Sequence, residues 1–190
     1  MYFVVLHKLV PSPTGHVAIK PKFALLIIDM QDSYFTDMRP VSIGTPRVDA
    51  LVDLLCFARR SGIPIQFLEY VGAGNTFGRL TALVSNPIRY PKCALDGFSN
   101  LKFRRDMATL RDDHTLIVGG YNYSACVFRT VETAIKLGFS VLTSPDLLFY
   151  SRDSSSRFPD CEGWATEFYN SNVSIAPDAR AIMNLVSRPQ

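Results

Sequence analysis

The chain has 190 residues, of which 47% are hydrophobic and 12% aromatic, and this composition excludes a chain that is disordered throughout. The formal net charge is +3 and no run of Lys and Arg exceeds two residues, so the sequence gives no support for a nucleic-acid partner. The length fits one compact domain. We therefore expect a single domain over residues 1–190, with residues 1–22 as an N-terminal arm or extra strand.

The sequence also carries no sign of a membrane partner. No apolar run approaches the ~18–20 residues that span a bilayer, and the apolar N-terminus has neither the positive flank nor the small-residue cleavage site of a signal peptide. We expect a cytoplasmic protein. Its cysteines are far apart and form no Cys-x-x-Cys pair, which argues against a zinc ribbon, a thioredoxin-type site and a disulfide scaffold.

The first half of the chain alternates short apolar runs with an amphipathic stretch. Phe23–Ile28 is continuously apolar and predicts a strand buried on both faces of a parallel sheet. A helix is predicted from Pro46 to Arg60, followed by Gly62 as its stop and by a second strand over Ile63–Leu68. Residues 72–90 are rich in Gly, Asn and Pro and predict a long loop.

The second half continues the same alternation. The predicted elements, in chain order, are a helix over Asn100–Leu110, a strand over Thr115–Val118, a helix over Ser124–Leu137, a strand over Ser140–Thr143, a strand over Val173–Ile175 and a helix over Ala176–Val186. Such alternation predicts an α/β fold, a three-layer α-β-α sandwich with a mostly parallel central sheet of Rossmann type. Ligands bind such sheets beyond the carboxyl ends of the strands, which here selects Asp29, residues 119–124 and the segment after Thr143.

Cys126 is the cysteine whose position indicates chemistry. It follows a predicted strand and a Gly-Gly turn, and it lies in the first turn of a predicted helix. The free N–H groups and the dipole there favour a thiolate and could bind a developing oxyanion. The alternative is a cysteine buried in the core as a small hydrophobe, which is the interpretation we give to Cys56 within its amphipathic helix.

A nucleophilic cysteine needs a base and a stabilising charge. None of the three histidines follows a predicted strand at the carboxyl edge, and His114 lies at the opposite edge. Asp29 is the better candidate base because it ends the first core strand. Lys92, taken alone, would be interpreted as a solvated surface lysine.

Three segments together resemble the isochorismatase-like cysteine hydrolase superfamily, which includes nicotinamidases and N-carbamoylsarcosine amidases. They are residues 24–31, which end in Asp29-Met-Gln31; residues 92–98, which run from Lys92 to Phe98; and residues 120–127, which contain Cys126. They occur in the family's order, and the resemblance extends from about residue 23 to residue 184. It implies that Asp29, Lys92 and Cys126 are catalytic.

The resemblance also implies a mechanism. Asp29 would take the proton of Cys126, Lys92 would hold the two negative charges together, and the thiolate would attack a carbonyl carbon to form a thioester. The oxyanion would bind the backbone N–H groups of Asn122 and Cys126. A cis peptide bond is expected between Tyr121 and Asn122.

The sequence departs from the family at two kinds of position. Tyr123 stands where many members have Thr, and Asp96-Gly97 stands where Ser-Ala is common, which puts any borrowed substrate in doubt. The segment 69–76 lacks the histidines that nicotinamidases use to bind a metal, so we expect no metal and no other cofactor.

We expect a small-molecule substrate bound by Gln31 and by an aromatic wall. The wall residues are Phe35, Phe98, Tyr121 and Tyr123, with Tyr150 and Trp164 as further candidates, and the alternative is that most of these side chains belong to the core. An aromatic pocket with backbone donors suits a small amide or ureido compound. The polar stretch Ser151–Arg157 is interpreted as a solvated loop, with a flap or partner loop as the alternative.

Other functions remain open at this point. The departures at Tyr123 and Asp96 allow a catalytically silent binding or scaffold protein. An isochorismatase-type vinyl ether hydrolase is disfavoured because that reaction needs no nucleophilic cysteine. A nucleotide-binding flavodoxin-like domain has little support because no Gly-x-Gly-x-x-Gly or P-loop spacing is present. Family members commonly self-associate, so we expect a homodimer or a larger homo-oligomer.

Overall fold

The computed structural model describes residues 22–36, 46–149 and 161–188. The expected N-terminal arm, apart from Lys22, and the loop Ser151–Arg157 lie outside these residues. The strands are β1 (Lys22–Ile28), β2 (Ile65–Tyr70), β3 (Ile88–Lys92), β4 (His114–Tyr121), β5 (Ser140–Thr143), β6 (Leu148–Phe149) and β7 (Ser174–Ile175). The helices are α1 (Ser33–Thr36), α2 (Pro46–Arg60), α3 (Gly78–Thr81), α4 (Leu101–Ala108), α5 (Phe128–Lys136), α6 (Cys161–Asn172) and α7 (Ala179–Ser187).

The strands form one sheet in the order β3-β2-β1-β4-β5-β7, and β6 pairs with the end of β4. Each pair of neighbouring strands is parallel, from β1 beside β2 and β4 to β7 beside β5. All these strands therefore end at one edge, which is where side chains from separate parts of the chain can meet. The predicted α/β three-layer sandwich with a parallel sheet is confirmed.

Two apolar cores lie on the two faces of the sheet, because successive strand side chains point to opposite faces. One core contains residues of α4, α5 and α6, such as Phe103, Val131 and Tyr169. The other contains residues of α2 and α7, such as Leu51 and Ile182. The sheet is thus covered on both sides, which explains why Phe23–Ile28 is a continuous apolar run rather than an alternating one.

Two elements have the bounds that were predicted for them. Helix α2 runs from Pro46 to Arg60, and β5 runs from Ser140 to Thr143, both as predicted. The predicted loop over residues 72–90 is confirmed for most of the stretch, which has little regular structure, but the prediction missed α3 and the beginning of β3. Strand β3 is the edge strand, mostly exposed and containing a proline, so it lacks the apolar pattern of the central strands.

Helix α6 was not among the predicted elements. The predicted helix over Ser124–Leu137 is instead divided into a π-helical turn, Tyr123–Val127, and α5. Cys126 lies within this turn. Among the described helices, none is long and apolar enough to cross a bilayer.

Candidate active site

A buried ion pair joins the ends of two strands that are not neighbours in the sheet. Asp29 follows β1 and Lys92 ends β3, with β2 between them. The Nζ atom of Lys92 lies 2.7 Å from Oδ2 of Asp29, and both side chains are fully buried. Lys92 Nζ also donates to the carbonyl oxygen of Ala94 at 3.1 Å. Since an isolated buried charge is very costly, each residue makes the other's burial tolerable.

The ring of Tyr70 completes the surroundings of the lysine. Its centroid lies 4.9 Å from Nζ of Lys92, within the range of a cation–π contact. Tyr70 is the last residue of β2, directly beside Lys92 in the parallel register. Sequence reasoning missed it because the predicted strand stopped at Leu68. Extending that strand by two residues would have placed Tyr70 at the same edge as Asp29.

The backbone positions Asp29 at the point where β1 leaves the sheet. Its N–H donates to the carbonyl oxygen of Leu68 at 2.9 Å, and its φ is +50°, a left-handed conformation that Asp adopts more readily than most residues. Oδ2 accepts from Lys92, whereas Oδ1 is buried and accepts no hydrogen bond from the described residues. One carboxylate oxygen is thus held and the other is left to react.

Gly120 allows β4 to approach β1 next to this carboxylate. It pairs with Ile28, the residue before Asp29, and its φ is +140°. A Cβ atom at position 120 would overlap the main chain of Ile28. Gly120, the second residue of the Gly-Gly pair before the π-helical turn (Tyr123–Val127, the nucleophile turn), is therefore required by close packing of two strands.

The thiol of Cys126 lies close enough to Asp29 and Lys92 for both to shift its pKa. Burial and the Asp29 carboxylate raise that pKa from 9.0 to about 12, against the opposing effect of Lys92. The sequence-based prediction that the helix terminus favours a resting thiolate is therefore wrong. The helix-terminus argument neglected both the burial of Cys126, which is 7% exposed, and the adjacent carboxylate.

Burial also raises the pKa of Asp29 above its usual 3.8, while Lys92 and the hydrogen bonds around the carboxyl group lower it. Asp29 is therefore a stronger base than an exposed carboxylate. These two pKa shifts favour transfer of the thiol proton from Cys126 to Asp29 while the sulfur attacks the substrate. They disfavour a thiolate that forms before the substrate binds.

Asn122 is the N-terminal cap of the π-helical turn. Its carbonyl oxygen accepts from the N–H groups of Ala125 and Val127. The side-chain Oδ1 of Asn122 accepts from the N–H and the hydroxyl of Ser124, both at 3.2 Å. The peptide bond between Tyr121 and Asn122 is cis, so that prediction is confirmed.

The other residues predicted to bind substrate have different surroundings. Gln31 is fully buried, and its side chain is occupied by backbone groups: Oε1 accepts from the N–H of Tyr70 at 2.6 Å, and Nε2 donates to the carbonyl oxygens of Tyr70 and Gly74. Gln31 thus connects the end of β1 to the loop after β2. Phe98 is 3% exposed and packs on Phe103 in the core, with ring centroids 4.9 Å apart.

Tyr121 lies two residues before the nucleophile turn, and Tyr123 is its first residue. The ring of Tyr121 lies 4.8 Å from the ring of Tyr34. Tyr123 stacks on Tyr169 of α6, and its carbonyl oxygen accepts from the Tyr169 hydroxyl at 3.0 Å. Helix α6 therefore supports the turn at the position where the family often has Thr. The side chain of Phe35 lies outside the described residues.

The loop after Lys92 is joined to the nucleophile turn through Thr130. The N–H of Gly97 donates to the Thr130 hydroxyl at 2.9 Å, and this hydroxyl donates to the carbonyl oxygen of Cys126 at 2.8 Å. Asp96 accepts from the hydroxyl of Thr133 at 2.9 Å. A Cβ atom at position 97 would overlap the side chain of Leu68. The unusual Asp-Gly pair thus has a local packing reason.

The segment that binds metal in nicotinamidases has a different donor set here. Oε1 of Glu69 accepts from the N–H and the hydroxyl of Thr76, at 3.1 and 2.6 Å, and lies 3.6 Å from Arg89. Within residues 22–36, 46–149 and 161–188, no group of three or more His, Cys, Asp or Glu side chains is placed to hold a metal ion. The residues of this segment do not fit such a metal.

No protein-family model matches the chain, and no curated protein has a significant sequence match to it. Solved structures match it closely in shape. An isochorismatase-family protein from Chromobacterium violaceum is 18% identical, with a TM-score of 0.68 over 93% of this chain and 98% of that chain. The MAR1 ribonuclease from Caenorhabditis elegans is 17% identical, with a TM-score of 0.68 over 86% and 80%.

A nicotinamidase from Staphylococcus aureus is 16% identical, with a TM-score of 0.63 over 82% of this chain and 99% of that chain. The names of these proteins imply different reactions. At sequence identities this low, structural similarity shows a shared fold and not a shared reaction. Together with the parallel sheet and its helices on both faces, these likenesses show that the chain has the isochorismatase-like fold.

Proposed function

We propose that this protein is a metal-independent cysteine hydrolase that cleaves a C–N bond of a small amide or ureido compound. The observation that carries the proposal is the buried pair of Asp29 and Lys92 beside the thiol of Cys126. Burying two charges at the carboxyl edge of a sheet makes the folded state less stable than burying two apolar side chains there would. A catalytic role therefore explains the pair better than a role in stabilising the fold does.

The first half of the reaction forms an acyl-enzyme. Oδ1 of Asp29 takes the thiol proton as the sulfur of Cys126 attacks the carbonyl carbon, and the N–H groups of Asn122 and Cys126 bind the resulting oxyanion. Collapse of this intermediate breaks the C–N bond. The leaving nitrogen takes the proton that Asp29 holds, so ammonia or an amine departs and a thioester remains.

The second half releases the acid. Asp29 removes a proton from water, the hydroxide attacks the thioester carbonyl, and the bond between carbon and sulfur breaks. The sulfur recovers its proton from Asp29, and the carboxylic or carbamic acid leaves. Lys92 opposes the effect of burial on Asp29, which keeps a larger fraction of that carboxyl group ionised at neutral pH.

A panel of small compounds tests the proposal directly. It contains acetamide, benzamide, nicotinamide, N-carbamoylglycine, a vinyl ether and a short RNA, the last because one protein of the same fold is a ribonuclease. We expect release of ammonia from at least one amide or ureide, and loss of that activity in Cys126→Ala. Hydrolysis of the vinyl ether or RNA that survives in Cys126→Ala would contradict it, as would inactivity on every compound.

We further propose that the chain self-associates. The edge strand β3 and its surroundings carry exposed apolar side chains, Val71, Ile88 and Leu101. An exposed edge with apolar neighbours is suited to pairing with a second copy of the same chain. Sedimentation equilibrium should give a mass of at least two chains, reduced to one chain by Leu101→Lys. A monomeric wild-type protein would contradict this.

A further inference from the structure

The loop that follows β2 is bonded to the segment that follows β1. The hydroxyl of Ser33 donates to the carbonyl oxygen of Ala73 at 2.6 Å. The N–H of Phe77 donates to the carbonyl oxygen of Met30 at 2.7 Å. These bonds join two segments that are remote in sequence, at the point where both leave the sheet. The ends of β1 and β2 are therefore held together beside the candidate site.

Gln31 extends this connection to the main chain of Tyr70. Its Oε1 accepts from the N–H of Tyr70 at 2.6 Å, and its Nε2 donates to the carbonyl oxygens of Tyr70 and Gly74, at 2.9 and 2.6 Å. The Gln31 side chain is fully buried, so water does not compete for these hydrogen bonds. One side chain thus binds both main-chain polar groups of Tyr70, which fixes the point from which the tyrosine ring projects.

The ring that is fixed in this way faces the Lys92 ammonium, with its centroid 4.9 Å from Nζ. The N–H of Val71 donates to the carbonyl oxygen of Lys92 at 2.9 Å, which keeps Tyr70 and Lys92 side by side at the ends of their strands. An ammonium has three N–H groups, and Asp29 and the carbonyl oxygen of Ala94 accept from it. The electron-rich face of the ring is a third partner.

The position of Ala94 makes this third partner important. Cys93, Ala94 and Leu95 are all exposed, so the carbonyl oxygen that binds Lys92 belongs to a solvated loop. A shift of the ammonium toward that loop and its water would separate it from Asp29. The half-buried ring attracts the ammonium from within the site and opposes this shift.

We propose that Tyr70 is a positioning residue whose ring holds the Lys92 ammonium against Asp29, and that Gln31 acts through Tyr70 by fixing its main chain. The inference rests on the proposed function for its effect on turnover, because the ion pair contains the base of that reaction. A ring suits this role better than a second carboxylate. It attracts the ammonium without adding a negative charge that would raise the pKa of Asp29 further.

The other titratable groups around the ion pair stay constant in the test. Cys126 and Tyr34 interact electrostatically with Asp29. Glu69, the neighbour of Tyr70 on β2, points to the opposite face of the strand and lies 3.6 Å from Arg89. A replacement of the ring alone therefore changes the pKa of Asp29 through the ammonium.

A carbon-13 NMR titration of the Asp29 carboxyl group tests the inference without a substrate. Tyr70→Leu should raise the midpoint by about one pH unit, because the ammonium that lowers the pKa of Asp29 is held less closely. Tyr70→Phe keeps the ring and should leave the midpoint unchanged. Pentafluorophenylalanine at position 70 keeps the shape of Phe but reverses the charge distribution of the ring, so it should raise the midpoint as Leu does.

Two further variants complete the design. Pentafluorophenylalanine in place of Phe103, a core ring that packs on Phe98, is the matched control and should leave the Asp29 midpoint unchanged. Gln31→Met should raise the midpoint when made alone. In the Tyr70→Leu background it should add less than about a third of a pH unit, since a residue that acts through Tyr70 has no separate effect.

Each outcome decides one claim. Equal midpoints for Phe and pentafluorophenylalanine at position 70 would overturn the role of the ring, whether or not the protein hydrolyses amides. Additive shifts in Gln31→Met and Tyr70→Leu would overturn the role of Gln31. With an amide that is turned over, the acid midpoint of kcat/KM should move with the NMR midpoint, and a midpoint that stays in place would overturn the effect on the reaction. Shifted NMR midpoints in a protein that hydrolyses no compound of the panel would support the positioning role and contradict the hydrolase function alone.

Discussion

Thr130 is joined to Cys126 by a 2.8 Å hydrogen bond from its hydroxyl to the cysteine carbonyl, four residues back along the helix. The same hydroxyl accepts from the N–H of Gly97, in the loop that follows Lys92. One buried oxygen atom thus connects the segment of the candidate cation with the segment of the candidate nucleophile. This oxygen and the hydrogen bond from the Thr133 hydroxyl to Asp96 together fix the relative position of the two segments.

Replacing Thr130 by Val should break both bonds at nearly constant volume. The N–H of Gly97 is left buried without an acceptor, so we expect the free energy of unfolding to fall by ~1–3 kcal/mol. Hydrolytic turnover should fall as well, because the nucleophile turn loses its tie to the loop. Urea denaturation and kcat measure the two effects. Thr130→Ser retains the hydroxyl and should restore turnover; equal losses in Ser and Val variants would contradict this explanation.

Removing the cation should destabilise the protein and change its pH dependence. We expect Lys92→Met to lower the free energy of unfolding by ~3–5 kcal/mol at neutral pH, because the Asp29 carboxylate stays buried without a partner. Burial then raises the pKa of Asp29 without opposition, so any remaining activity should require a higher pH. Urea denaturation at neutral pH measures the first effect.

The double variant Asp29→Asn with Lys92→Met is the control, because it removes both charges. It should be more stable than Lys92→Met alone. If the single and double variants are equally stable, the two charges do not support each other in the folded protein.

The thiol pKa provides a test that is independent of any substrate. Asp29 and burial raise the pKa of Cys126 to about 12, and Lys92 lowers it. Asp29→Asn removes a raising charge and leaves Lys92 in place, so the pKa of Cys126 should fall although turnover is lost. The ultraviolet absorbance of the thiolate, taken as the difference from the matching Cys126→Ala variant, measures it. A thiol pKa that rises in Asp29→Asn would contradict the described arrangement.

The pH dependence of the wild-type reaction follows from Asp29. The reaction needs this carboxyl group ionised, and its pKa lies above 3.8 in the folded protein, so kcat/KM should fall as the pH is lowered through that raised value. The thiol should cause no second change near pH 9, because it remains protonated there. A rise in kcat/KM with a midpoint near 9 would indicate a preformed thiolate instead.

The sequence predicted best the elements whose pattern is uniform. Phe23–Ile28 is an apolar run between Lys22 and Asp29, β5 places the apolar pair Val141-Leu142 between Ser140 and Thr143, and α2 has an amphipathic period, so local sequence determines them. Strand β3 could not be found in this way. Because β3 lies at the sheet edge, only Tyr90 and Lys92 of its five residues are buried. Its sequence therefore has no regular pattern of apolar residues.

The sequence predicted the three candidate residues and their order along the chain, but not the side chains that surround them. The positions of Asp29, Lys92 and Cys126 came from their resemblance to family motifs. The contacts of Tyr34 and Tyr70 depend on the packing of elements that are remote in sequence, which no local pattern encodes. For the same reason, Gln31 was expected at the substrate, yet its side chain is occupied by Tyr70 at the end of β2 and by Gly74 in the loop that follows.

Gly120 provides a test of the architecture that underlies the site. A methyl group at this position would overlap the main chain of Ile28, and the φ of +140° is unfavourable for any other residue. We expect Gly120→Ala to lose more than about 3 kcal/mol of the free energy of unfolding, or to prevent folding. Gly163 of α6 has open space at its Cβ position, so Gly163→Ala should leave stability equal or slightly higher.

In the proposed reaction, Cys126 forms a covalent acyl intermediate. Intact-protein mass spectrometry detects it after rapid acid quenching of the reaction with the best amide of the panel, followed by peptide mapping. We expect a mass increase equal to the acyl group on the peptide that contains Cys126, present in wild type and absent in Cys126→Ser. Steady amide turnover with no adduct on that peptide, and with full activity in Cys126→Ser, would contradict it.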